Sequence, residues 1–287
     1  MRIGTVKEVW RYPIKSMAGE QLASATLGPG GIPGDRGWAV RDEIAHEVRG
    51  GKKLPMLMQC AARYLQEPTA GSSPPAEIEL PDGSRLRTDS NEVHLALSRV
   101  LGRDVTLHPL HPPEDATHYR RGLPDHEDME EELRSIFGRT ADEPLPDLSV
   151  FPPELFEFSS PLGTYFDAFP LHVLTTQTLA ELAQRRPGSD FDRRRFRPNI
   201  LIDAAGSGEG LVEAAWSGRE LRIGSSRIAI QMPTVRCSMT TQAQAGLPKD
   251  PQVLRTIVAD AAQNVGVYAT VVAAGAVRPG DVVELID

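Results

Sequence analysis

Apolar and polar residues alternate in short runs along most of this chain, which predicts a protein built mainly of β-strands. Glycine, proline, aspartate and serine bound most of the runs, and Asp82-Gly83 between two of them is typical of a β-hairpin. The predicted strands include residues 4–10, 38–41, 78–80, 105–108, 199–203, 220–223, 227–231, 268–273 and 281–286.

Helical spacing of apolar residues occurs in three segments, at 91–101, 176–184 and 253–265. Frequent strands with little strand–helix alternation favour a barrel-like or sandwich architecture over a doubly wound sheet. The predicted fold class is therefore mainly β with some helices, an α+β arrangement.

Prolines are frequent between residues 109 and 165, where an acidic patch also lies at 127–132. This composition predicts an interdomain connection with one short helix at 127–137, whose acidic face is solvated.

Composition limits the class of protein. The chain has 287 residues and a mass of 31.3 kDa, with 40% apolar and 24% charged residues, as in a soluble globular protein. A net charge of −8 argues against non-specific nucleic-acid binding. No apolar run approaches the roughly 20 residues of a membrane span, and the N-terminal segment is a charged strand rather than a signal peptide. The two cysteines form no disulfide framework, so we expect a cytoplasmic protein with neither nucleic-acid nor membrane partners.

Two conspicuous motifs are not typical of a site. The glycine-rich run 206–210 follows a strand, but the third glycine of a dinucleotide fingerprint would fall at Leu211, so a polar loop is predicted. The spacing of His108, His111, His118 and His126 matches no standard zinc pattern, so they are predicted to be exposed loop histidines. The sequence also contains neither a Gly-x-Ser-x-Gly elbow nor a Walker loop.

Cys237 lies just past a predicted strand end, in a polar turn beside Arg236. A neighbouring guanidinium favours the thiolate, the form that attacks carbon or binds a soft metal. The alternative is an ordinary half-buried cysteine, and this segment alone does not decide between the two. Cys60 is predicted to be structural and buried.

Four polar clusters lie at predicted strand ends or turns. Guanidinium groups and helix N-termini both suit phosphate, so together the clusters could hold a large phosphorylated ligand beside a thiolate. Taken one at a time, each has a simpler explanation as a turn, a helix cap or an exposed cationic face. The clusters are Tyr12-Pro13-Ile14-Lys15-Ser16, Gly34-Asp35-Arg36-Gly37-Trp38, Leu174-Thr175-Thr176-Gln177-Thr178 and Arg193-Arg194-Arg195-Phe196-Arg197-Pro198-Asn199.

The first two of these clusters, together with Phe196-Arg197-Pro198-Asn199-Ile200 and Arg236-Cys237, resemble the MOSC-domain proteins that carry an N-terminal MOSC-associated β-barrel domain. The resemblance is closest to the group of the mitochondrial amidoxime-reducing component and its bacterial counterparts. It implies two β-barrel-like domains, the C-terminal one MOSC-like. The implied boundaries are 1–110 for the N-terminal domain, 111–165 for the proline-rich connection and 166–287 for the MOSC domain.

The resemblance also implies a function: a molybdenum-dependent oxidoreductase that reduces N-hydroxylated or N-oxygenated compounds by oxygen-atom transfer at molybdenum. Cys237 would be the catalytic thiolate ligand of molybdenum, and a separate electron-transfer protein or reductase would supply electrons. The residues implied to bind the molybdenum cofactor (Mo-molybdopterin) are Lys15, Ser16, Arg36, Thr175, Thr176, Arg197, Asn199, Arg236 and Cys237.

One segment departs from the resemblance, because relatives often carry an Asp-Pro turn after the cysteine loop and this chain has Gln242-Ala243-Gln244-Ala245-Gly246. The alternative function is therefore a non-catalytic carrier or binding protein for the molybdenum cofactor, or for sulfur destined for it. No cysteine-rich tail is present, so no intrinsic iron–sulfur cluster is expected. Nothing around Lys15 resembles a pyridoxal phosphate fold, so that cofactor is not expected either.

Overall fold

A computed structural model describes residues 1–204 and 210–286 of the chain. The strands are β1 Arg2–Arg11, β2 Glu20–Leu22, β3 Ala25–Leu27, β4 Trp38–Asp42, β5 Glu47–Arg49, β6 Ala61–Tyr64, β7 Ala76–Glu79, β8 Arg85–Arg87, β9 Val105–Pro109, β10 Leu171–Thr175, β11 Ile200–Asp203, β12 Glu220–Ile223, β13 Ser226–Val235, β14 Asn264–Ala273, β15 Gly275–Val277 and β16 Val282–Ile286. The helices are α1 Val93–Leu101, α2 Ala116–Tyr119, α3 Met129–Phe137, α4 Glu154–Glu157, α5 Thr176–Arg185 and α6 Pro251–Asp260. The mainly β class with some helices is confirmed.

Seven strands close into a barrel in the order β11-β10-β14-β13-β12-β16-β1, because β1 pairs with β11 as well as with β16. Strand β2 extends the sheet beyond β1. The barrel interior is aliphatic, and fully buried valine, leucine or isoleucine side chains stabilise a fold by about 1.5–3 kcal/mol each. Its centre includes Val9, Leu171, Ile202 and Val267, all 0% exposed.

Strand β1 shows why alternation is imperfect in this chain. Its buried apolar residues Ile3, Val6 and Val9 are three positions apart rather than two. The register with β16 shifts between Arg2 and Gly4, and the register with β11 shifts between Val6 and Glu8. Each shift adds a residue to β1, which returns the next apolar side chain to the barrel interior.

Two three-stranded sheets, β5-β4-β9 and β6-β7-β8, form the N-terminal unit. Their core also includes Ile14 and Met17, which follow β1 in sequence. Ile14 bridges Trp38, and Ala18 bridges Ala61. The segment between them therefore leaves the barrel and enters the second core, which places Lys15 and Ser16 at the junction of the two.

The connection contains three short helices, α2, α3 and α4, rather than the single helix predicted. Helix α3 begins after Asp128, which caps it by accepting a hydrogen bond from the Glu131 amide. The prediction of a solvated acidic face is wrong for Glu132, which is 6% exposed and lies 2.6 Å from the Lys53 ammonium.

Helix α6 ends at Asp260, earlier than the predicted 265, because Ala262 and Gln263 take left-handed φ angles of 46° and 70°. The chain then begins β14 at Asn264.

The prediction of an exposed loop histidine is wrong for His118, which is 7% exposed.

The glycine-rich run at 206–210, predicted to be a polar loop, lies outside the described residues except for Gly210. Within the two described ranges, no helix has both the length and the apolar character needed to cross a bilayer.

Candidate functional site

The segment after β1 is held in an unusual backbone conformation. Tyr12 donates its amide to the Asp35 carboxylate at 2.8 Å, and its carbonyl accepts from the Arg36 amide at 2.7 Å. Ser16 has a left-handed φ of 71°, and its hydroxyl oxygen accepts from the Gly51 amide at 2.8 Å. The Ser16 hydroxyl therefore fixes the 50–51 turn beside Lys15.

Lys15 is 7% exposed, and its ammonium donates to the Tyr165 carbonyl at 2.7 Å and to the Asp167 carboxylate at 3.1 Å. Burial lowers the pKa of Lys15 to about 8, although the negative charge of Asp167 opposes that shift. One side of the ion pair is in contact with solvent, because the Asp167 side chain is 42% exposed.

Two arginines stack against the buried Tyr12 ring. The guanidinium of Arg197 lies 4.1 Å from the ring centroid, and that of Arg36 lies 5.5 Å from it. Both arginines have left-handed φ angles, 57° and 52° respectively, which L-residues rarely adopt. Arg36 also pairs with the Asp35 carboxylate.

Arg197 keeps a free donor. Its Nη1 donates to the Met17 carbonyl, whereas Nη2 is buried and has no hydrogen-bond partner. Burial lowers the pKa of Arg197 to about 10, so the group is still charged at pH 7. An unpartnered buried guanidinium nitrogen is costly, and an anion placed beside it would remove that cost.

Arg236 and Cys237 follow directly on β13, as the sequence predicted. Arg236 is 8% exposed and donates from Nη2 to the Phe196 carbonyl at 2.6 Å, while its buried Nε has no partner. Burial lowers the pKa of Arg236, whereas the nearby Tyr268 and Cys237 raise it. The Cys237 side chain is partly accessible to solvent.

Electrostatic interactions connect these groups into one cluster. Burial raises the pKa of the Tyr268 phenol, and Asp167 and Cys237 raise it further, while Arg236 and Arg36 lower it. Lys15, Lys52 and Arg36 lower the pKa of Asp167 against the effect of burial. We define the cationic junction as Lys15, Arg36, Arg197 and Arg236 beside Cys237, with Asp167 and Tyr268 among them.

Three of the predicted cofactor-binding residues have their polar atoms engaged elsewhere. Asn199 is fully buried, accepts from the His172 amide at 3.1 Å and donates to the Trp10 carbonyl at 3.3 Å. Thr175 donates to Glu213 at 2.8 Å and caps α5, and Thr176 donates to Asp203 at 3.3 Å. These contacts join strands and α5, separately from the cationic junction.

Of the four arginines in the run 193–197, only Arg197 belongs to the cationic junction. Arg193 pairs with Glu8 and lies 3.9 Å from the Trp10 ring centroid, and Arg194 pairs with Asp192. Arg195 donates to the carbonyls of Thr240, Gln242 and Pro248, at 3.3, 3.3 and 2.8 Å. Arg195 therefore supports the loop after Cys237, including the segment that departs from the family resemblance.

Sequence reasoning missed Asp167, Tyr268 and Arg139. Arg139 donates to the Arg236 carbonyl at 3.1 Å and to the Gln263 side chain at 2.9 Å. It lies just after α3 in the predicted connection, where no motif marks it. Tyr268 lies within an apolar strand, and Asp167 follows an aromatic pair, so neither carries a local signal.

Two family models match the chain: the MOSC N-terminal beta barrel domain over residues 3–108 and the MOSC domain over residues 163–284. The chain therefore belongs to the MOSC-domain proteins and carries the N-terminal barrel domain, as the resemblance implied.

Among relatives, mitochondrial amidoxime reducing component 2 from Homo sapiens is 26% identical over 299 residues, covering 98% of this chain and 83% of that protein. The protein of the same name from Bos taurus is 28% identical over 246 residues, covering 84% of this chain and 67% of that protein. The solved structure of the YuaD protein from Bacillus subtilis aligns over 98% of this chain and 94% of that chain, with 12% identity and a TM-score of 0.43.

Proposed function

We propose that this protein is a molybdenum-cofactor oxidoreductase that reduces N-hydroxylated or N-oxygenated compounds. The observation that carries the proposal is the cationic junction, where two buried guanidinium groups keep unpartnered nitrogens near a partly accessible cysteine. A pterin phosphate needs such donors, and molybdenum needs a soft sulfur ligand. The residues of the junction therefore fit the cofactor.

In this proposal Arg197 Nη2 and Arg236 Nε donate to the anionic part of the cofactor, and Lys15 and Arg36 add positive charge. The sulfur of Cys237 is the ligand to the metal. When bound, the cofactor supplies two-electron oxygen-atom transfer. Each reduced N-hydroxy group consumes two electrons and two protons and releases one water. A separate electron-transfer protein is the proposed source of those electrons.

Nearby protein groups have defined proton states. Lys15, with a pKa of about 8, holds its proton on Nζ at pH 7. Tyr268 also keeps its phenolic proton, because burial raises its pKa. In the proposal both groups are able to donate a hydrogen bond to an electron-rich ligand, while Asp167 limits the net positive charge.

The experiment uses protein from a host that makes the cofactor. Molybdenum and oxidised fluorescent pterin are measured per chain, followed by reduction of an amidoxime with an artificial electron donor. We expect both cofactor and turnover in the natural protein, and loss of turnover in Cys237→Ala. Cys60→Ala is the matched control, because Cys60 is 1% exposed in the N-terminal core.

Cofactor without turnover would overturn the reductase proposal and favour the carrier. Absence of both molybdenum and pterin would contradict both functions. Full activity in Cys237→Ala would refute the ligand assignment alone.

A further inference from the structure

Three histidines of the connection and the neighbouring strand come together away from Cys237. His108 is in β9, His111 follows that strand, and His118 is in α2. One ring nitrogen of each lies within 4.8 Å of the corresponding nitrogens of the other two. The rings of His111 and His118 are stacked, with centroids 3.7 Å apart.

Each of the three rings has an outer polar partner on one nitrogen. His111 Nδ1 lies 2.8 Å from the Asp115 carboxylate. His118 Nε2 lies 2.7 Å from the Tyr165 hydroxyl, and that hydroxyl donates to the Pro109 carbonyl. The Tyr165 oxygen therefore accepts from His118.

His108 follows the same arrangement. Its Nε2 lies 2.8 Å from the Thr106 hydroxyl, which itself donates to Glu43. Thr106 therefore accepts from His108. In all three rings the network assigns the proton to the outer nitrogen and leaves a lone pair on the other. Metal-ligating histidines usually show this pattern, in which an outer oxygen orients the ring and increases its basicity.

We propose that His108, His111 and His118 bind one divalent transition-metal ion of the zinc class through the ring nitrogens opposite their outer partners. Three imidazoles with one solvent ligand are a common zinc coordination set. A metal lies in the plane of each ring it binds, whereas the His111 and His118 planes differ by only 4°. Coordination therefore requires the His111 ring, whose side chain is 27% exposed, to tilt out of the stack while its Nδ1 keeps the contact with Asp115.

Metal binding would join the connection, which contains His111 and His118, to the N-terminal sheet, which contains His108 in β9. It would also fix Tyr165, whose hydroxyl contacts His118 and whose carbonyl accepts from Lys15. A bound ion would therefore stabilise the side of the cationic junction that contains Tyr165. Metal binding does not depend on the proposed reductase function.

The test uses full-length protein without a polyhistidine tag, treated with chelator and dialysed. Zn²⁺ binding is followed by calorimetry, and Co²⁺ binding by visible absorption. We expect one tight site per chain, with no tight binding in His111→Ala. Asp115→Asn should retain the site with affinity reduced about 10- to 100-fold, as for other outer partners.

Two controls address other ligands. His126→Ala removes a histidine that contacts Glu131 outside the cluster, and Cys237→Ser removes the accessible thiol. Both should bind Zn²⁺ as the natural protein does. No tight Zn²⁺ binding by the natural protein would overturn the proposal, and so would equal affinity in His111→Ala. His111 is chosen over buried His118 so that the variant folds.

Discussion

The Lys15 ammonium lies 2.7 Å from the carbonyl oxygen of Tyr165, which is 150 residues away in sequence. This hydrogen bond joins the segment that leaves β1 to the segment that enters β10. It lies at the junction of the barrel and the N-terminal unit, so the cationic junction is assembled from both.

Replacement of Lys15 by Met should reduce the retention of the molybdenum cofactor, because it removes a buried positive charge from the junction. Lys52→Met is the matched control, since Lys52 is 30% exposed and lies 3.8 Å from the same Asp167 carboxylate. The measurement is pterin and molybdenum per folded chain. Equal retention in the two variants would argue against a role for Lys15.

Anion affinity at this junction should fall as pH rises through about 8, where Lys15 loses its proton. The contribution of Lys15 to folding stability changes with pH in the opposite direction. The pKa of Lys15 is lowered from 10.5 in the unfolded chain, so between about pH 8 and 10.5 the unfolded state binds more protons. Folding stability from this group therefore rises with pH in that window. Pterin release and thermal melting, both measured from pH 7 to 9, separate the two effects. Lys15→Met should lose the pH dependence of pterin release. If that dependence were unchanged in the variant, Lys15 would not be its cause.

Substitution of Arg197 by Lys should weaken cofactor retention although the charge is kept. Arg197 donates to Met17 through one nitrogen while the other remains free, and an ammonium cannot reproduce this fork. Arg194→Lys is the control, because Arg194 pairs with Asp192 at the surface. Retention is measured by pterin fluorescence after oxidation. If both variants retained the pterin equally, the fork would not be needed.

Loss of Arg195 should loosen the loop that follows Cys237. Arg195 is 1% exposed and donates to four carbonyls, the fourth being that of Asp190 at 2.8 Å. Arg195→Ala leaves those carbonyls without their charged donor, so we expect a cost of about 3 kcal/mol or more in urea unfolding. Arg222→Ala, which removes an exposed arginine of β12 that pairs with Glu284, should cost much less. A similar loss in both would show that Arg195 does not hold the loop.

The two thiols should react at different rates in the folded protein. Burial raises the pKa of Cys60 to about 11 and leaves it 1% exposed, whereas Cys237 is partly accessible. Iodoacetamide should therefore label Cys237 first, and mass spectrometry assigns the modified peptide. Bound cofactor should slow the labelling of Cys237 only. Faster labelling of Cys60 in native protein would contradict the structure.

Much of the local structure could be predicted from the chain. Predicted strands 38–41 and 220–223 closely match β4 and β12, and α5 begins at Thr176 as its cap residue Thr175 indicates. The end of α6 could not be predicted, because the apolar spacing continues into β14 and only left-handed residues interrupt the helix.

The site residues could likewise be predicted only in part. Short motifs identified Lys15, Arg36, Arg197 and Arg236, whose roles toward a cofactor stay predictions. The same motifs also pointed to Asn199 and Thr175, whose polar atoms are engaged in holding strands and α5. A motif names the residue type and its position in the chain, but not which hydrogen-bond partner the folded neighbours offer.

The sequence by itself determined the strand-rich class, the turn after β13 that displays Cys237, and the family to which the chain belongs. These depend on periodicity and short motifs, which act over a few residues. Only the tertiary structure decided that Arg139 supports Arg236, that Asp167 balances Lys15, and that three histidines converge. Those contacts depend on barrel closure and on the path of the connection, which bring together side chains distant in sequence.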